Sequence, residues 1–389
     1  LAFIGPTPEQ LALFGDKARA RALAADCGVP LMPGLNHATA LPEAEAFFAE
    51  QMAQGAGGIV IKAVAGGAGR GMRVVTRAED VAPLWQRCTS EAQAAFGAGA
   101  VYVERLMPRA RHIEVQVLGD GKQVVSLGLR ECTLQRRFQK LVESAPSPSL
   151  APALRGQIEQ AALAMARRRA AYRGLGTFEF LVDQHAAELP FVFIEANPRL
   201  QVEHTVTEAV TGLDLVALQV QVAAGRTLAE LGLSESRAVP ERGFAIQWRI
   251  NAETLSTRGH ALPASGSVVQ LDWPSGPGVR VDTHAQAGAT PSPHYDSLLA
   301  KLIVHAPDFG AALRRSQRAL ADCRIDGLVT NLALLRTLAA RPEMQTQDVH
   351  TRWLESALPE LLDVAEAVTA RADGAGAAGQ LHSSAAPAP

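Results

Sequence analysis

The chain has 389 residues, 48% of them hydrophobic, and a formal net charge of −2. That length can bury two domain-sized cores, and the near-neutral charge excludes the overall basic field that would hold a nucleic acid or an anionic membrane surface. No apolar run approaches the ~20 residues of a bilayer span and LAFIGPTPEQ lacks the layout of a signal peptide, so a soluble, cytoplasmic protein is expected, with small molecules or other proteins as partners.

The opening FIG reads as a strand short of neighbours, as though a preceding segment were missing. DKARARALAADCGVP predicts a helix from Lys17 to about Cys27, stopped by Gly28 and Pro30. GIVIKAV (58–64) and MRVVT (72–76) predict a hairpin with a glycine-rich, mobile tip. Helical spacing over 78–96 is followed by the strands VYVERLM (101–107) and HIEVQVLGD (112–120). In the latter, His112, Glu114 and Gln116 share one face and Ile113, Val115 and Val117 the other, so the polar face must meet something polar. A helix near 150–172, the strands TFEFLVD and FVFIEANPRL, and a helix around 206–224 complete the first part. A boundary at about 225–242 leads into a strand-rich second unit, and RADGAGAAGQLHSSAAPAP reads as a linker. Four scattered cysteines with no CxxC pair fit a reduced compartment without structural zinc.

Three stretches carry chemistry. The loop Ala65 to Gly71 could point unshielded backbone amides at phosphate oxygens or be a plain flexible turn; Lys62 just before it favours phosphate. Glu195 and Asn197 alternate onto one strand face beside the strand of Glu179, presenting oxygen ligands of the type Mg²⁺ takes; the other reading is a polar solvent face, which the neighbouring Phe178, Phe180, Val192 and Ile194 disfavour. Arg199-Leu200-Gln201-Val202-Glu203-His204 packs a cation, an amide and a carboxylate that could hold a small anion and take its proton, or form only a salt-bridged turn. His204 is given no catalytic role. The chain has 5 lysines against 32 arginines, yet Lys17, Lys62 and Lys140 all fall in such motifs, where a compact ammonium would face phosphate.

Taken together, FIGPTPE, GDK, IKAVAGGAGRGMRVV, RHIEVQVLGD, QRRFQK, GTFEFLVD, FIEANPRLQVEHTVTE, RINAE, PSGPGVRVDT and YDSLLAKLI resemble the biotin carboxylase family, in the family's order and through about residue 355. QWRINAET and PSGPGVRVDT are similar to single-chain acyl-CoA carboxylases. The resemblance implies an α+β, ATP-grasp fold with a glycine-loop lid: a remnant of an N-terminal domain over 1–15, the ATP-grasp domain over 16–225 with its lid at about 34–106, a biotin carboxylase C-terminal domain over 243–355, and a tail over 362–389. It implies carboxylation of biotin by ATP and bicarbonate, with Mg²⁺ or Mn²⁺, on a biotin carboxyl carrier domain that works with a carboxyltransferase; the family often dimerises.

Residue by residue, the resemblance implies that Lys17 and Lys62 bind ATP phosphates under the lid formed by Gly66, Gly67, Gly69, Gly71 and Met72. Glu104 would receive the adenine amine beside Met107, with His112 and Gln135 near the ribose and phosphates. Glu179, Glu195 and Asn197 would hold the metal. Arg199, Gln201 and Val202 would position bicarbonate, Glu203 would deprotonate it, Lys140 would neutralise the transferred phosphoryl group, and Arg280 would stabilise the biotin enolate. Phe138 stands where the family usually has histidine, and Leu129 where it has an acidic residue. Another ATP-grasp ligase would share the loop and the carboxylates but not the downstream GPGVRVDT and YDSLLAKLI; a nucleotide-binding module without catalysis is the other alternative.

Overall fold

A computed structural model describes residues 2–35, 37–64, 71–168, 172–183, 185–186, 189–256, 260–292 and 294–365. Gly66, Gly67 and Gly69 of the predicted lid, and the tail beyond 365, lie outside the described residues. The chain divides into two units, Leu1–Arg242 with His350–Arg352, and Gly243–Val349 with the residues after Arg352.

The first unit begins with α1 (Pro8–Phe14) and α2 (Lys17–Asp26), the latter capped by Asp16, whose carboxylate accepts from the amides of Ala18 and Arg19. A small sheet follows, β2-β1-β3, built from β1 (Ile59–Ala63), β2 (Met72–Val75) and β3 (Val101–Arg105) and packed against α3 (Leu41–Ala53) and α4 (Val81–Phe96). The main sheet of this unit runs β6-β5-β4-β7-β8, from β4 (Arg111–Asp120), β5 (Val124–Arg136), β6 (Gln139–Ala145), β7 (Arg173–Val182) and β8 (Phe191–Asn197). Its neighbours pair antiparallel throughout. One face buries Ile113, Val115, Val117, Phe178, Phe180 and Phe193 against α1, α2 and α5 (Pro152–Arg167). Side chains of this size each contribute roughly 1.5–3 kcal/mol when buried. On the other face, Leu118, Val125, Leu127 and Leu175 pack under α7 (Leu215–Ala223). The rest of that second face is polar, and α6 (His204–Thr211) lies by it.

Three sequence expectations change here. The helix foreseen over 206–224 is two, because Gly212 takes a left-handed φ of 73° and ends α6 before Asp214 caps α7. FIG forms no strand, having no ladder to join: Phe3 and Ile4 are exposed and Gly5 lies against the backbone of Gly174. The β5–β6 hairpin was not foreseen; its two-residue tip, Arg137-Phe138, has φ of 48° and 66°, a pair of left-handed conformations usually given to Asn-Gly.

The second unit holds an antiparallel sheet, β13-β14-β9, of β9 (Phe244–Asn251), β13 (Val279–Thr283) and β14 (Leu298–Ala306). Two short ribbons pair β10 (Glu253–Leu255) with β11 (Ala261–Pro263) and β12 (Gln270–Asp272) with β15 (Arg324–Asp326). Helices α8 (Phe309–Asp322) and α9 (Leu332–Ala339) cover its core. Residues 353–365 are helical, so the helix runs past 362, where the sequence placed the start of the tail. Among the described residues, no single helix is long and apolar enough to cross a membrane.

Candidate active site

The polar face of the main sheet gathers the chemistry. Strand register sets Arg130 opposite Glu114, Glu114 opposite Glu179, and Glu179 opposite Glu195, a row across β5, β4, β7 and β8. Like charges placed directly opposite each other repel, so this row needs cations, and Lys140 supplies one. From β6 its ammonium donates to Glu114 Oε2 (2.6 Å), Glu203 Oε1 (2.6 Å) and Glu179 Oε1 (3.2 Å). Burial works against that charge, but the three carboxylates outweigh it and hold the ammonium well above the usual lysine range. Burial likewise pushes Glu179 upward, and Lys140 and His112 reverse the effect, leaving it well below the usual carboxylate range.

Four side chains serve Glu179, Lys140 among them. It also accepts from Asn197 Nδ2 (2.8 Å) and Gln201 Nε2 (2.8 Å), and His112 Nε2 lies 2.8 Å from its other oxygen. Gln135 touches His112 Nδ1 and donates to Cys132 O at 2.8 Å, so the imidazole is fixed from both sides. Asn197 Nδ2 reaches Glu195 Oε1 at 3.4 Å, and Lys17, the first residue of α2, pairs with Glu195 at 3.4 Å. The row therefore joins Lys17, His112, Gln135, Lys140, Glu179, Glu195, Asn197, Gln201 and Glu203 in one site. Gln201 and Glu203 are buried, Val202 half-buried, and Arg199 exposed, donating to Leu200 O at 3.2 Å and Asn197 Oδ1 at 3.5 Å. His204 Nδ1 lies 2.7 Å from Gln201 O, a turn-closing contact.

Glu104 anchors a second cluster, on β3. One of its oxygens accepts from Arg21 Nη1 (2.5 Å) and the other from Lys62. Burial opposes the Glu104 charge, and Lys62 and Arg21 overcome it, depressing its pKa. Lys62 and Glu104, which the sequence assigns to different parts of the nucleotide, are thus in direct contact, and the lysine stem must swing away for its ammonium to meet a phosphate. Met72 opens β2 opposite Lys62, Gly71 accepts at its carbonyl from the amide of Ala63 (2.8 Å), and Met107 is half-buried just past β3. Arg280 belongs to the second unit, on β13, where it forks onto Asp282 at 2.7 and 2.9 Å.

Sequence reasoning named no role for Arg21, Arg130 or Glu114. The alternation on β4 had marked Glu114 as needing a polar partner; Arg21 and Arg130 had no comparable signal.

Residues 16–231 match the carbamoyl-phosphate synthase L chain, ATP-binding domain, and residues 247–356 the biotin carboxylase C-terminal domain. A biotin carboxylase from a Nostoc species is 42% identical over 356 residues, covering 91% of this chain and 77% of that protein. The chain belongs to the biotin carboxylase family. The C-terminal match separates it from other ATP-grasp ligases. The biotin carboxylase domain of Hydrogenobacter thermophilus 2-oxoglutarate carboxylase, solved with MgADP, ADP and bicarbonate, superposes with a TM-score of 0.84 at 37% identity, covering 93% of this chain and 77% of that one. This biotin carboxylase sequence is also 43% identical over 363 residues to a pyruvate carboxylase from Aspergillus terreus, of which it spans 30%. The fold of this chain is the ATP-grasp biotin carboxylase fold.

Proposed function

We propose that this chain carboxylates biotin, using ATP and bicarbonate, as the first half-reaction of a biotin-dependent carboxylase. The observation that carries the reading is the convergence of Glu203, Lys140, Gln201 and Glu179 on one buried point. Glu179 and, beside it, Glu195 offer the carboxylate oxygens that Mg²⁺ or Mn²⁺ takes, and the amide of Asn197, which turns its nitrogen to both carboxylates, would present its oxygen after a flip; the direct opposition of Glu179 and Glu195 is what a divalent cation would relieve. Bound there, such an ion neutralises phosphate charge.

Bicarbonate is seated by Arg199, Gln201 and Val202, and Glu203 takes its proton. Its oxygen then attacks the γ-phosphorus of ATP; the bond to the β-γ bridging oxygen breaks, ADP leaves and carboxyphosphate forms. Lys17 and Lys62 hold the phosphates, with Gly71 and Met72 at the start of β2 beside them, and Lys140 offsets charge on the transferred group. Glu104 and Met107 seat the adenine, with His112 and Gln135 towards the ribose and phosphates. Carboxyphosphate splits to CO₂ and phosphate, the phosphate takes the N1′ proton of biotin, and the nitrogen attacks CO₂ while Arg280 stabilises the enolate. Confinement of CO₂ beside biotin and exclusion of water supply much of the rate. The biotin is presented by a carboxyl carrier domain and handed on to a carboxyltransferase.

ADP release by the full chain, measured with and without bicarbonate and free biotin, tests this. Turnover should require bicarbonate, rise with biotin, and fall by about 10²-fold or more in Glu203→Gln. Folded, MgADP-binding protein that shows no bicarbonate dependence would contradict it.

A further inference from the structure

Arg130 lies on β5 with no exposed surface, and its guanidinium has five N–H donors. Each one meets a different acceptor. Nε donates to Glu114; Nη1 donates to Gln116 Oε1 (2.6 Å) and Thr207 Oγ1 (3.0 Å); Nη2 donates to Thr177 Oγ1 (3.2 Å) and Gln201 Oε1 (3.2 Å). These partners come from β4, β7, α6 and the loop before α6. A buried cation so fully satisfied is held in one position, because any shift strands a polar group away from water.

Two of the five bonds reach into the site. Gln201 presents its amide oxygen to Arg130 and its nitrogen to Glu179, 2.8 Å away. The flipped amide would turn its NH₂ towards the guanidinium, so Arg130 selects which end of Gln201 faces the carboxylates. Glu114 gives one oxygen to Arg130 and the other to Lys140. Gln116, Thr177 and Thr207 serve as the anchors that fix the guanidinium on the fold.

We infer that Arg130 is a positioning residue for bicarbonate: through Gln201 it sets the orientation of the amide that receives the anion, while touching no substrate itself. This rests on the assignment of Gln201 to bicarbonate made above.

Binding, rather than turnover, separates the two claims. Isotope-labelled bicarbonate, titrated into the full chain with saturating MgADP and followed by NMR line broadening, gives its affinity; calorimetry gives that of MgADP. Lysine has three donors on one atom and cannot span five acceptors, so Arg130→Lys should weaken bicarbonate by about tenfold or more with MgADP changed by less than about twofold. In a Gln201→Met background the same substitution should add less than about twofold, because its effect runs through that amide. Should Arg130→Lys fail to fold, Thr177→Val decides: it removes one anchor from the nitrogen that holds Gln201 and should weaken bicarbonate about two- to fivefold.

Unchanged bicarbonate affinity in a folded variant, equal losses for bicarbonate and MgADP, or additive effects in the double variant would each overturn the inference. Wild-type protein that binds MgADP but no bicarbonate would instead remove the functional reading, and this proposal with it.

Discussion

The two buried charge clusters of the first unit are built with opposite balance. Around Glu104, one carboxylate faces two cations, Arg21 and Lys62. Around Lys140, three carboxylates, Glu114, Glu179 and Glu203, face one ammonium, with Arg130 bound to the first of them. The former retains a positive charge and is ready to give a cation to an arriving anion; the latter retains a negative charge and is ready to accept a cation. ATP with its metal brings both. On the proposed reading, polyphosphate would draw Lys62 away while Arg21 still serves Glu104, and the metal that travels with the phosphates would add positive charge to the row of glutamates. The lesson is that a spare partner marks the group that is free to move.

Removing each lysine in turn sharpens this contrast. Lys140→Met takes away the one ammonium that touches three buried carboxylates and should cost about 3–5 kcal/mol, read as a lowered denaturation midpoint with loss of turnover. Lys62→Met leaves Glu104 paired with Arg21, so its stability cost should be smaller, about 1–3 kcal/mol, while the ATP KM rises about tenfold or more. Equal stability costs for the two would break the comparison. The smallest effect concerns acid. The depressed Glu104 pKa means that the folded state binds fewer protons than the unfolded chain. Its contribution is therefore present above the ordinary glutamate value near ~4.3 and is lost as pH falls through the lower folded value. Melting temperature measured from pH 7 downward should fall less steeply below about pH 4.5 in Glu104→Gln than in the wild type.

Much of this was legible in the sequence because β4 obeys a period of two: hydrophobic alternation named both its buried face and its polar one, which meets Glu179 across the ladder. On β8 a bulge between Phe193 and Glu195 shifts the alternation, so that Phe193 faces the core and Glu195 stands opposite Glu179, a shift that no local pattern announces. Lysine scarcity pointed at Lys17, Lys62 and Lys140, each of which meets a glutamate. Arg21 was hidden among the cations of KARARAL, where the approach of Glu104, 83 residues away, and of Met32 O distinguishes it from the exposed Arg19. Arg130 was hidden for the same reason: its partners lie 14, 16, 47, 71 and 77 residues off, and no local pattern records such distances. The break at Gly212 was visible as a residue but not as a helix end, since apolar spacing continues across it.

The alternation on β4 also fixes what the gene can tolerate. Ile113, Val115 and Val117 point into the core while His112, Glu114 and Gln116 point at the chemistry. Loss of a single codon here would exchange the two sets, burying a carboxylate among phenylalanines and turning valines towards the reacting anion. Substitutions along this strand can be graded in severity, but a one-residue deletion cannot: it should abolish folding and activity together, whereas the same deletion in the turn at Gly121-Lys122 should be far better tolerated.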